Sequence, residues 1–335
     1  MNKIRTAVVG AGKMGGIHAK VYSQMADCDF VGVVDVDEKR AQKMAKAYGC
    51  QVFPDCSQIL DKIDAVTIAT PTVTHMQLAK QFLKKRIAVL VEKPLAFSVR
   101  EGKKIVSLAK RYDTVVAVGH SERCNPVSQA LKRFEIEPKF IEAQRVSPYP
   151  FRSTDVGVVF DVMIHDIDIV LSLAASKVKK IDSVGVGVIE GGEDICNARI
   201  AFENGCIANL TASRLALKTE RRLRVFSPQA YVSVDYFKKT GIIIKADPNT
   251  NVVKWIQERR MADDFDFTKV NWPDLLHIEQ LQIDAKEPVR LQQEAFLRAV
   301  RDRSYTPEVT AEEGLAAITC AQRIVNKIKK HDWDQ

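Results

Sequence analysis

Arg5-Thr6-Ala7-Val8-Val9-Gly10-Ala11-Gly12-Lys13-Met14-Gly15 is the stretch of sequence that decides the fold. An apolar run leads into the pattern Gly-x-Gly-x-x-Gly, and a helical pattern continues to Met25. This order is typical of a strand, a tight turn and a helix that together bind a dinucleotide. We expect Gly10 to allow the turn, Gly12 to let the backbone approach a pyrophosphate, and Gly15 to let the helix pack closely on the strand.

A carboxylate at the end of the next predicted strand strengthens this interpretation. Asp35 follows an apolar run and lies 25 positions after Gly10. An acid near this spacing accepts hydrogen bonds from the adenosine ribose and repels a 2′-phosphate, so the pattern favours NAD over NADP. The alternative is that Asp35 caps the following helix, although Asp37 could do so instead. The cofactor-binding residues predicted in this region are Gly10, Gly12, Lys13, Met14, Gly15 and Asp35.

Length and cysteine usage restrict the class of protein. A chain of 335 residues predicts two domains. No apolar run approaches the ~18 residues that span a bilayer, and the first predicted strand starts too early to leave room for a signal peptide. The seven cysteines are scattered without a Cys-x-x-Cys pair. We therefore expect a cytoplasmic protein with reduced thiols, no metal site and no membrane partner.

The net charge of +8 raises the question of nucleic-acid binding. Lys and Arg are spread over many predicted helix faces, and no basic run is interleaved with aromatic residues. We therefore expect no nucleic-acid partner. An excess of positive charge also suits an anionic small substrate such as a nucleotide sugar.

The order of predicted elements divides the chain in two. Strands and helices alternate over residues 1–122, which predicts an α/β Rossmann domain with a parallel sheet covered on both faces. Residues 123–335 combine alternating strands between Ile181 and Gln257 with helical patterns at 158–174, 292–302 and 310–330. This second part predicts an α+β domain built on a mostly antiparallel open sheet, which would bind the substrate and form the oligomer.

Two further stretches follow predicted strands of the first domain, where parallel sheets bind their ligands. Thr70, Pro71 and His75 follow the fourth strand, and Glu92-Lys93-Pro94 follows the fifth. We expect Thr70, Pro71, His75, Glu92 and Lys93 to contact the cofactor. The alternatives are that His75 is hydrogen-bonded locally and that Lys93 is an ordinary surface lysine in a turn.

A polar set interrupts the apolar helical pattern at 158–174. Asp161, His165 and Asp168 are spaced i, i+4, i+7 and would share one helix face. Polar groups on so apolar a helix are costly unless they line a cavity or are paired. The alternatives are a buried Asp–His pair that holds the helix to the sheet, and a metal site for which a third ligand is missing. No nucleophile-elbow pattern supports a Ser or Cys nucleophile.

Five motifs occur in the order G-A-G-K-M-G, A-T-P-T-x-x-H, E-K-P-L-A, G-H-x-E-R-x-N-P and D-x-x-x-H-D-x-D. Together they resemble the glucose–fructose oxidoreductase/inositol dehydrogenase/rhizopine-catabolism (Gfo/Idh/MocA) family over essentially the whole chain. The resemblance implies a Rossmann domain followed by an α+β domain whose open sheet makes oligomer contacts, so we expect a homodimer or homotetramer. It also implies oxidation or reduction of a sugar or cyclitol carbon with NAD(P).

The same resemblance assigns roles to individual residues. Lys93 would contact the reacting hydroxyl and the nicotinamide ribose, His165 would exchange the hydroxyl proton, and Asp161 would orient His165 or hold a neighbouring hydroxyl. Arg123 and Asn125 would lie on the substrate side. Cys124 departs from the family pattern, in which many members have Phe at this position.

Within the family, the stretches 140–148, 151–159, 194–199 and 210–214 resemble bacterial UDP-N-acetylglucosamine 3-dehydrogenases. Those enzymes make a 3-keto sugar nucleotide for transamination toward a 3-amino sugar of lipid A, a component of lipopolysaccharide. The resemblance makes Arg145, Arg152 and Arg214 candidates for pyrophosphate or sugar contacts, since guanidinium forks match phosphate oxygens. Each could equally be a surface or sheet-edge arginine.

Two other functions stay open from the sequence. One is an NAD(P)-dependent dehydrogenase of a free sugar or inositol. The other is a non-catalytic NAD-binding sensor or scaffold, against which the presence of both Lys93 and His165 argues.

Overall fold

The structure is a computed structural model that describes residues 3–149, 156–189, 192–228, 230–246 and 276–329. Two compact units make up the chain. The first comprises Met1–Asn125, Ile167–Ile169 and Lys286–Arg323, and the second comprises Pro126–Asp166, Val170–Ala285 and Ile324–Gln335. The first unit therefore takes in residues 286–323, which the sequence analysis assigned to the second domain.

A six-stranded parallel sheet forms the centre of the first unit. Its strand order is β3-β2-β1-β4-β5-β6, the doubly wound order of dinucleotide-binding domains. The predicted Rossmann fold is thus confirmed. The strands are β1 (Ile4–Val9), β2 (Cys28–Val34), β3 (Gln51–Phe53), β4 (Ala65–Ile68), β5 (Ala88–Glu92) and β6 (Val116–Gly119).

Helices cover this sheet. Helix α1 (Lys13–Ser23) packs on β1 and β2, and a C-terminal helix, α7 (Pro288–Arg301), packs on α1. The helices of this unit are α1 (Lys13–Ser23), α2 (Glu38–Tyr48), α3 (His75–Lys84), α4 (Val99–Arg111) and α7 (Pro288–Arg301), and α8 (Ala311–Ile328) starts in it. Short 3-10 turns occupy Cys56–Ile59, Thr72–Thr74 and Ser121–Cys124.

The turn between β1 and α1 requires glycine at two positions. Gly10 adopts φ +104°, a conformation that L side chains rarely adopt. A Cβ at Gly15 would lie 1.7 Å from the carbonyl oxygen of Gly10, so a side chain there would collide with the backbone. These two glycines therefore let α1 approach the end of β1, as the sequence predicted.

An eight-stranded sheet forms the second unit. Its order is β14-β13-β12-β11-β7-β10-β9-β8, with every pair antiparallel except β7 and β10. The predicted mostly antiparallel sheet is thus confirmed, although residues 247–257 of the predicted strand region lie outside the described residues. The strands are β7 (Phe140–Val146), β8 (Val178–Val186), β9 (Ile195–Phe202), β10 (Ile207–Ser213), β11 (Glu220–Phe226), β12 (Ala230–Asp235), β13 (Thr240–Ala246) and β14 (Leu276–Gln280).

One face of this sheet is buried and the other is open. Along β9, Cys196, Ala198 and Ile200 are buried, while Asn197 and Arg199 between them are exposed. Such alternation is expected of an antiparallel sheet that packs on one side only.

The helical segments of the second unit differ from the predicted continuous helix at 158–174. Val159–Met163 forms a π-helical turn, and a regular α-helix, α6 (Ile164–Ala174), follows it. A short helix, α5 (Pro126–Leu131), precedes β7. Because π-turns are wider than α-helical turns and occur frequently at functional sites, this one singles out the segment that contains Asp161.

The cysteines are free thiols, six of them buried. Burial raises the pKa of Cys320 to about 12 and that of Cys28 to about 11. The thiols of Cys28 and Cys320 are therefore unreactive parts of the core. None of the helices within the described residues is long and apolar enough to cross a membrane.

The contact between residues 10 and 15 predicts opposite effects at two neighbouring glycines. Gly15→Ala should lower the free energy of unfolding by about 3 kcal/mol or more, because the new methyl group collides with backbone. Gly16→Ala should leave stability unchanged or raise it by up to ~1 kcal/mol, because its methyl group would lie 3.8 Å from Met44 Cε and alanine favours a helix. Urea unfolding measures both, and equal stability of the two variants would contradict the packing argument.

Candidate active site

The turn after β1 offers the geometry of a pyrophosphate site. Among the atoms that the structure describes, none lies within 4 Å of a Cβ built at Gly12, so the backbone there faces open space. No described side chain caps α1 at Gly12. The free N–H groups and partial positive charge at the start of α1, where Lys13 and Met14 lie, are therefore available to a phosphate. These residues fit the pyrophosphate of NAD.

Asp35 holds the glycine turn instead of capping a helix. Its Oδ2 accepts a hydrogen bond from Ala11 N at 2.5 Å, and its Oδ1 accepts one from Asp37 N at 2.7 Å. Asp37 caps α2 by accepting a hydrogen bond from Arg40 N. The alternative that Asp35 is the helix cap is therefore wrong. A carboxylate can accept about four hydrogen bonds, so Asp35 retains capacity for ribose hydroxyls.

The loop after β4 is held locally by His75. The imidazole is buried; its Nδ1 lies 3.0 Å from Pro94 O and its Nε2 lies 2.9 Å from Thr70 O. Thr70 Oγ1 also lies 2.7 Å from Thr74 Oγ1. The structure thus favours the local alternative for His75, which ties the loop containing Thr70 and Pro71 to the loop after β5. Contacts of Thr70, Pro71 and His75 with the cofactor stay predictions.

Glu92 and Lys93 occupy the end of β5 with different exposures. Glu92 is buried and its Oε1 lies 2.8 Å from His18 Nε2. Lys93 is half-buried, and its backbone N–H donates to Glu92 Oε2 at 3.3 Å. The glutamate is thus a structural anchor, whereas the lysine side chain begins at the carboxyl end of a parallel strand, where ligands bind.

His120 lies close enough to Lys93 for the charge of the lysine to lower the pKa of its imidazole. His120 follows β6 and is completely buried. Burial, and then the positive charges of Lys93 and Arg123, lower the pKa of His120 to about 3. Its imidazole is therefore neutral at physiological pH and adds no positive charge beside Lys93.

Arg123 and Asn125 are held inside the first unit. Arg123 is buried; it donates to Glu313 Oε1 at 2.6 Å and to Glu308 O at 3.1 Å, and it lies 3.5 Å from Asp168 Oδ1. Asn125 Nδ2 donates to Glu122 Oε2 at 2.8 Å. Their predicted contacts with substrate stay predictions.

In the second unit, the helical segment places its polar residues in two environments. Asp161, on the π-turn, and His165, near the start of α6, are both half-buried. Asp166, by contrast, is buried, and so is Asp168, which belongs to the first unit. Asp161 and His165 therefore keep partial access to solvent, as groups that contact a substrate need.

The sequence left open that Arg145 and Arg214 are surface or sheet-edge residues, and the structure shows that they are neither. Both are buried, and each is paired with a buried carboxylate. Arg145 contacts Asp166 through Nε at 3.1 Å and Nη2 at 2.8 Å, and Arg214 Nε contacts Asp194 Oδ1 at 2.5 Å. Their guanidinium groups are thus largely committed to structure. Arg152 lies outside the described residues.

Asp194, Arg214 and Glu193 together order residues 156–159, where the helical segment starts. Arg214 Nη1 donates to Val156 O at 2.9 Å, Val158 N donates to Glu193 O at 2.8 Å, and Val159 N donates to Glu193 Oε1 at 3.1 Å. Burial alone would raise the pKa of Asp194, but its hydrogen bonds with Ile189 N, Arg214 and Val188 N outweigh burial and lower it. A charged, buried carboxylate therefore helps to position the turn that contains Asp161.

Sequence reasoning missed several of these groups. His18 and Gln293 each occupy an apolar-face position of a helix, which is a detectable signal of a buried polar side chain. Asp166 and Asp194 could not be matched to their arginines, because each pair joins residues 20 or 21 positions apart.

Lys93 belongs to the first unit and His165 to the second. Over the described parts of the chain, no group of three or more His, Cys, Asp or Glu could hold a metal ion.

The parallel sheet, the glycine turn and Asp35 define a dinucleotide-binding protein. Two family models match the chain. One, described as an oxidoreductase family with an NAD-binding Rossmann fold, matches residues 4–120, and the GFO/IDH/MocA C-terminal domain matches residues 137–232. The chain therefore belongs to the Gfo/Idh/MocA family of oxidoreductases, and its cofactor is NAD, as the sequence predicted.

Individual relatives act on different substrates. The chain is 34% identical over 241 residues to UDP-N-acetylglucosamine 3-dehydrogenase of Acidithiobacillus ferrooxidans, covering 72% of this chain and 76% of that one. A solved structure of that organism's enzyme GnnA superposes with a TM-score of 0.87 at 28% identity, covering 98% and 99% of the two chains. Inositol 2-dehydrogenase of Rhizobium meliloti is 28% identical over 261 residues, 72% and 78% of the two chains.

The low pKa of His120 predicts acid sensitivity. A histidine in the unfolded chain has a pKa of ~6.5. Below that pH the unfolded state binds a proton at His120 and the native state does not. The resulting stability is complete above pH ~6.5 and is lost as pH falls toward the native pKa of about 3. Between pH 6.5 and 5, wild type should lose ~2 kcal/mol more stability than His120→Gln, as measured by urea unfolding. Parallel pH profiles would contradict this assignment.

The buried pair of Arg145 and Asp166 predicts a large cost for removing the arginine. Arg145→Met should destabilise the protein by ~3–5 kcal/mol, because Asp166 would be left charged and buried. Arg224 on the adjacent strand is the matched control. It pairs with Glu142 at 3.3 Å but is about half exposed, so Arg224→Met should cost less than ~1 kcal/mol. Chemical denaturation compares them, and similar costs would argue against a buried structural pair.

Proposed function

We propose that this protein is an NAD-dependent dehydrogenase that oxidises a sugar hydroxyl, and that its substrate is UDP-N-acetylglucosamine, oxidised at C3. The observation that carries the proposal is the 34% identity over 241 residues to the Acidithiobacillus ferrooxidans enzyme of that name. The position of Lys93 directly after β5, with a half-buried side chain, independently supports the dehydrogenase part of the proposal.

The first unit supplies the cofactor part of the site. The backbone around Gly12 and the start of α1 would bind the pyrophosphate, and Asp35 would accept hydrogen bonds from the adenosine ribose. The negative charge of Asp35 would repel a 2′-phosphate, which favours NAD over NADP. Bound NAD supplies the hydride acceptor at C4 of the nicotinamide ring.

Three side chains would act on the substrate. His165 would accept the proton of the reacting hydroxyl while the hydride leaves the same carbon, so that the carbinol becomes a ketone. The ammonium group of Lys93 would stabilise the negative charge that develops on the oxygen. Asp161 would orient His165 or hold a neighbouring sugar hydroxyl. Lys93 comes from the first unit and His165 from the second.

The nucleotide end of the substrate is less simply assigned. Arg145 and Arg214 are already neutralised by Asp166 and Asp194, so we propose that they act by positioning the helical segment with Asp161 rather than by binding pyrophosphate. Arg123, Asn125 and Arg152 stay candidates for substrate contacts. The product would be a 3-keto sugar nucleotide, suited to transamination toward a 3-amino sugar of lipid A. A homodimer or homotetramer in the cytoplasm is part of the same proposal.

The similarity to an inositol dehydrogenase supports a second candidate substrate class. Purified protein with NAD should therefore be offered UDP-N-acetylglucosamine, N-acetylglucosamine, glucose and myo-inositol, with NADH absorbance as the readout. We expect kcat/KM to be at least tenfold higher for UDP-N-acetylglucosamine than for the others. Faster turnover of inositol would replace the proposed substrate, and no turnover with tight NAD binding would favour a sensor or scaffold.

The proposed roles predict losses of kcat without loss of cofactor binding. Lys93→Ala and His165→Ala should each lower kcat by ~10²–10⁴-fold, because each removes charge stabilisation or proton transfer in the transition state. The dissociation constant for NAD, measured by protein fluorescence, should change by less than threefold. Lys84→Ala, at the end of α3, is the control and should keep wild-type kcat. Near-wild-type kcat in either active-site variant would refute the assigned role.

A further inference from the structure

A line of buried polar side chains runs from α7 through α1 to the end of β5. Gln293 Nε2 lies 3.1 Å from His18 Nδ1, and His18 Nε2 lies 2.8 Å from Glu92 Oε1. Glu92 Oε2 in turn accepts the backbone N–H of Lys93 at 3.3 Å. Gln293 and His18 are completely buried, and Glu92 is 8% exposed. All four residues belong to the first unit.

The contacts of Gln293 determine where the imidazole proton lies. Gln293 Nε2 is also 3.2 Å from the carbonyl oxygen of His18, and a carbonyl can only accept. The atom is therefore the amide nitrogen, with one hydrogen directed to the carbonyl and the other to Nδ1. Because Nδ1 accepts, a neutral His18 bears its hydrogen on Nε2 and donates it to the Glu92 carboxylate.

Packing fixes the carboxylate that receives this hydrogen bond. Glu92 lies against Gly119 of β6, where a built Cβ would be 2.9 Å from both Cδ and Oε1 of Glu92. The Glu92 side chain thus packs against the backbone of Gly119 and contacts His18 through Oε1. Its other oxygen, Oε2, holds the amide of Lys93, so the direction in which the lysine leaves the strand depends on how the carboxylate is oriented.

We propose that His18, with its tautomer set by Gln293, is a positioning residue for Lys93 that acts through Glu92. A hydrogen bond to a carboxylate is about twice as strong as one between neutral groups. Here it holds the Glu92 side chain in one rotamer. Misplacing a catalytic group by ~1 Å can cost ~10²-fold in rate. The effect on turnover rests on the function proposed above for Lys93, whereas the effect on the lysine's position does not.

The test compares variants that differ in one donor. His18→Gln retains an N–H that can reach Glu92 Oε1, and His18→Leu has similar volume without a donor. Gln293→Met removes the group that sets the tautomer but leaves His18 in place. Gln292→Met is the matched control, because Gln292 is equally buried on the same helix but donates to Val118 O instead.

Two readouts are independent of any sugar substrate. ¹⁵N NMR of histidine-labelled wild type should show His18 as the Nε2–H tautomer, assigned by the signal that His18→Gln lacks. The acetylation rate of Lys93 relative to Lys84, measured by mass spectrometry, should change at least threefold in His18→Leu and stay within 1.5-fold in His18→Gln and Gln292→Met. An Nδ1–H tautomer, or equal labelling in all variants, would overturn the proposal.

Turnover provides the third readout. With UDP-N-acetylglucosamine, kcat should fall at least tenfold in His18→Leu and about threefold in Gln293→Met, while KM for NAD changes less than threefold. His18→Gln should recover kcat to within threefold of wild type. Equal kcat losses in His18→Leu and His18→Gln would mean a packing role only. If wild type turns over no sugar, the proposed function fails, and the NMR and labelling results still decide the positioning role; if His18→Leu does not fold, Gln293→Met takes its place in both measurements.

Discussion

The close contact between the backbone at Gly10 and the helix at Gly15 is the constraint on which the first unit depends. It sets the distance of α1 from the sheet, which leaves the start of the helix facing open space at Gly12. The same approach brings His18, one turn further along α1, within hydrogen-bond distance of Glu92 on β5. A single steric requirement thus serves both the cofactor site and the support of Lys93.

Within each unit, buried ion pairs hold the segments that contain candidate site residues. Arg123, Arg145 and Arg214 are each buried beside a carboxylate. Buried ion pairs contribute little net stability, because desolvation offsets their attraction, but removing one partner is costly. Their value here is geometric, since the Arg214–Asp194 pair, together with Glu193, holds the residues that lead into the π-turn.

Neutral histidines complement these charges. Burial lowers the pKa of both His75 and His120, so neither adds positive charge beside Lys93 at physiological pH. The two ring nitrogens of His75 lie 3.0 Å from Pro94 O and 2.9 Å from Thr70 O, and the neutral ring donates to one of these carbonyls at a time. We propose Lys93, at this strand end, as the cation that stabilises a developing alkoxide, a role that agrees with the family's oxidoreductase chemistry.

The amino-acid sequence by itself determined the Rossmann domain, its glycine turn, Asp35 and the family. These features depend on local patterns, namely hydrophobic period, glycine spacing and strand-end position, which one stretch of chain expresses without help from distant residues. Tertiary structure alone decided that Arg145 and Arg214 are buried partners of Asp166 and Asp194, that residues 286–323 join the first unit, and that the helix at 158–174 opens with a π-turn. It also decided that His18 is hydrogen-bonded to Gln293 through Nδ1 and to Glu92 through Nε2. Such pairings depend on which side chains the fold brings within about 3 Å, and no periodicity along the chain encodes that distance.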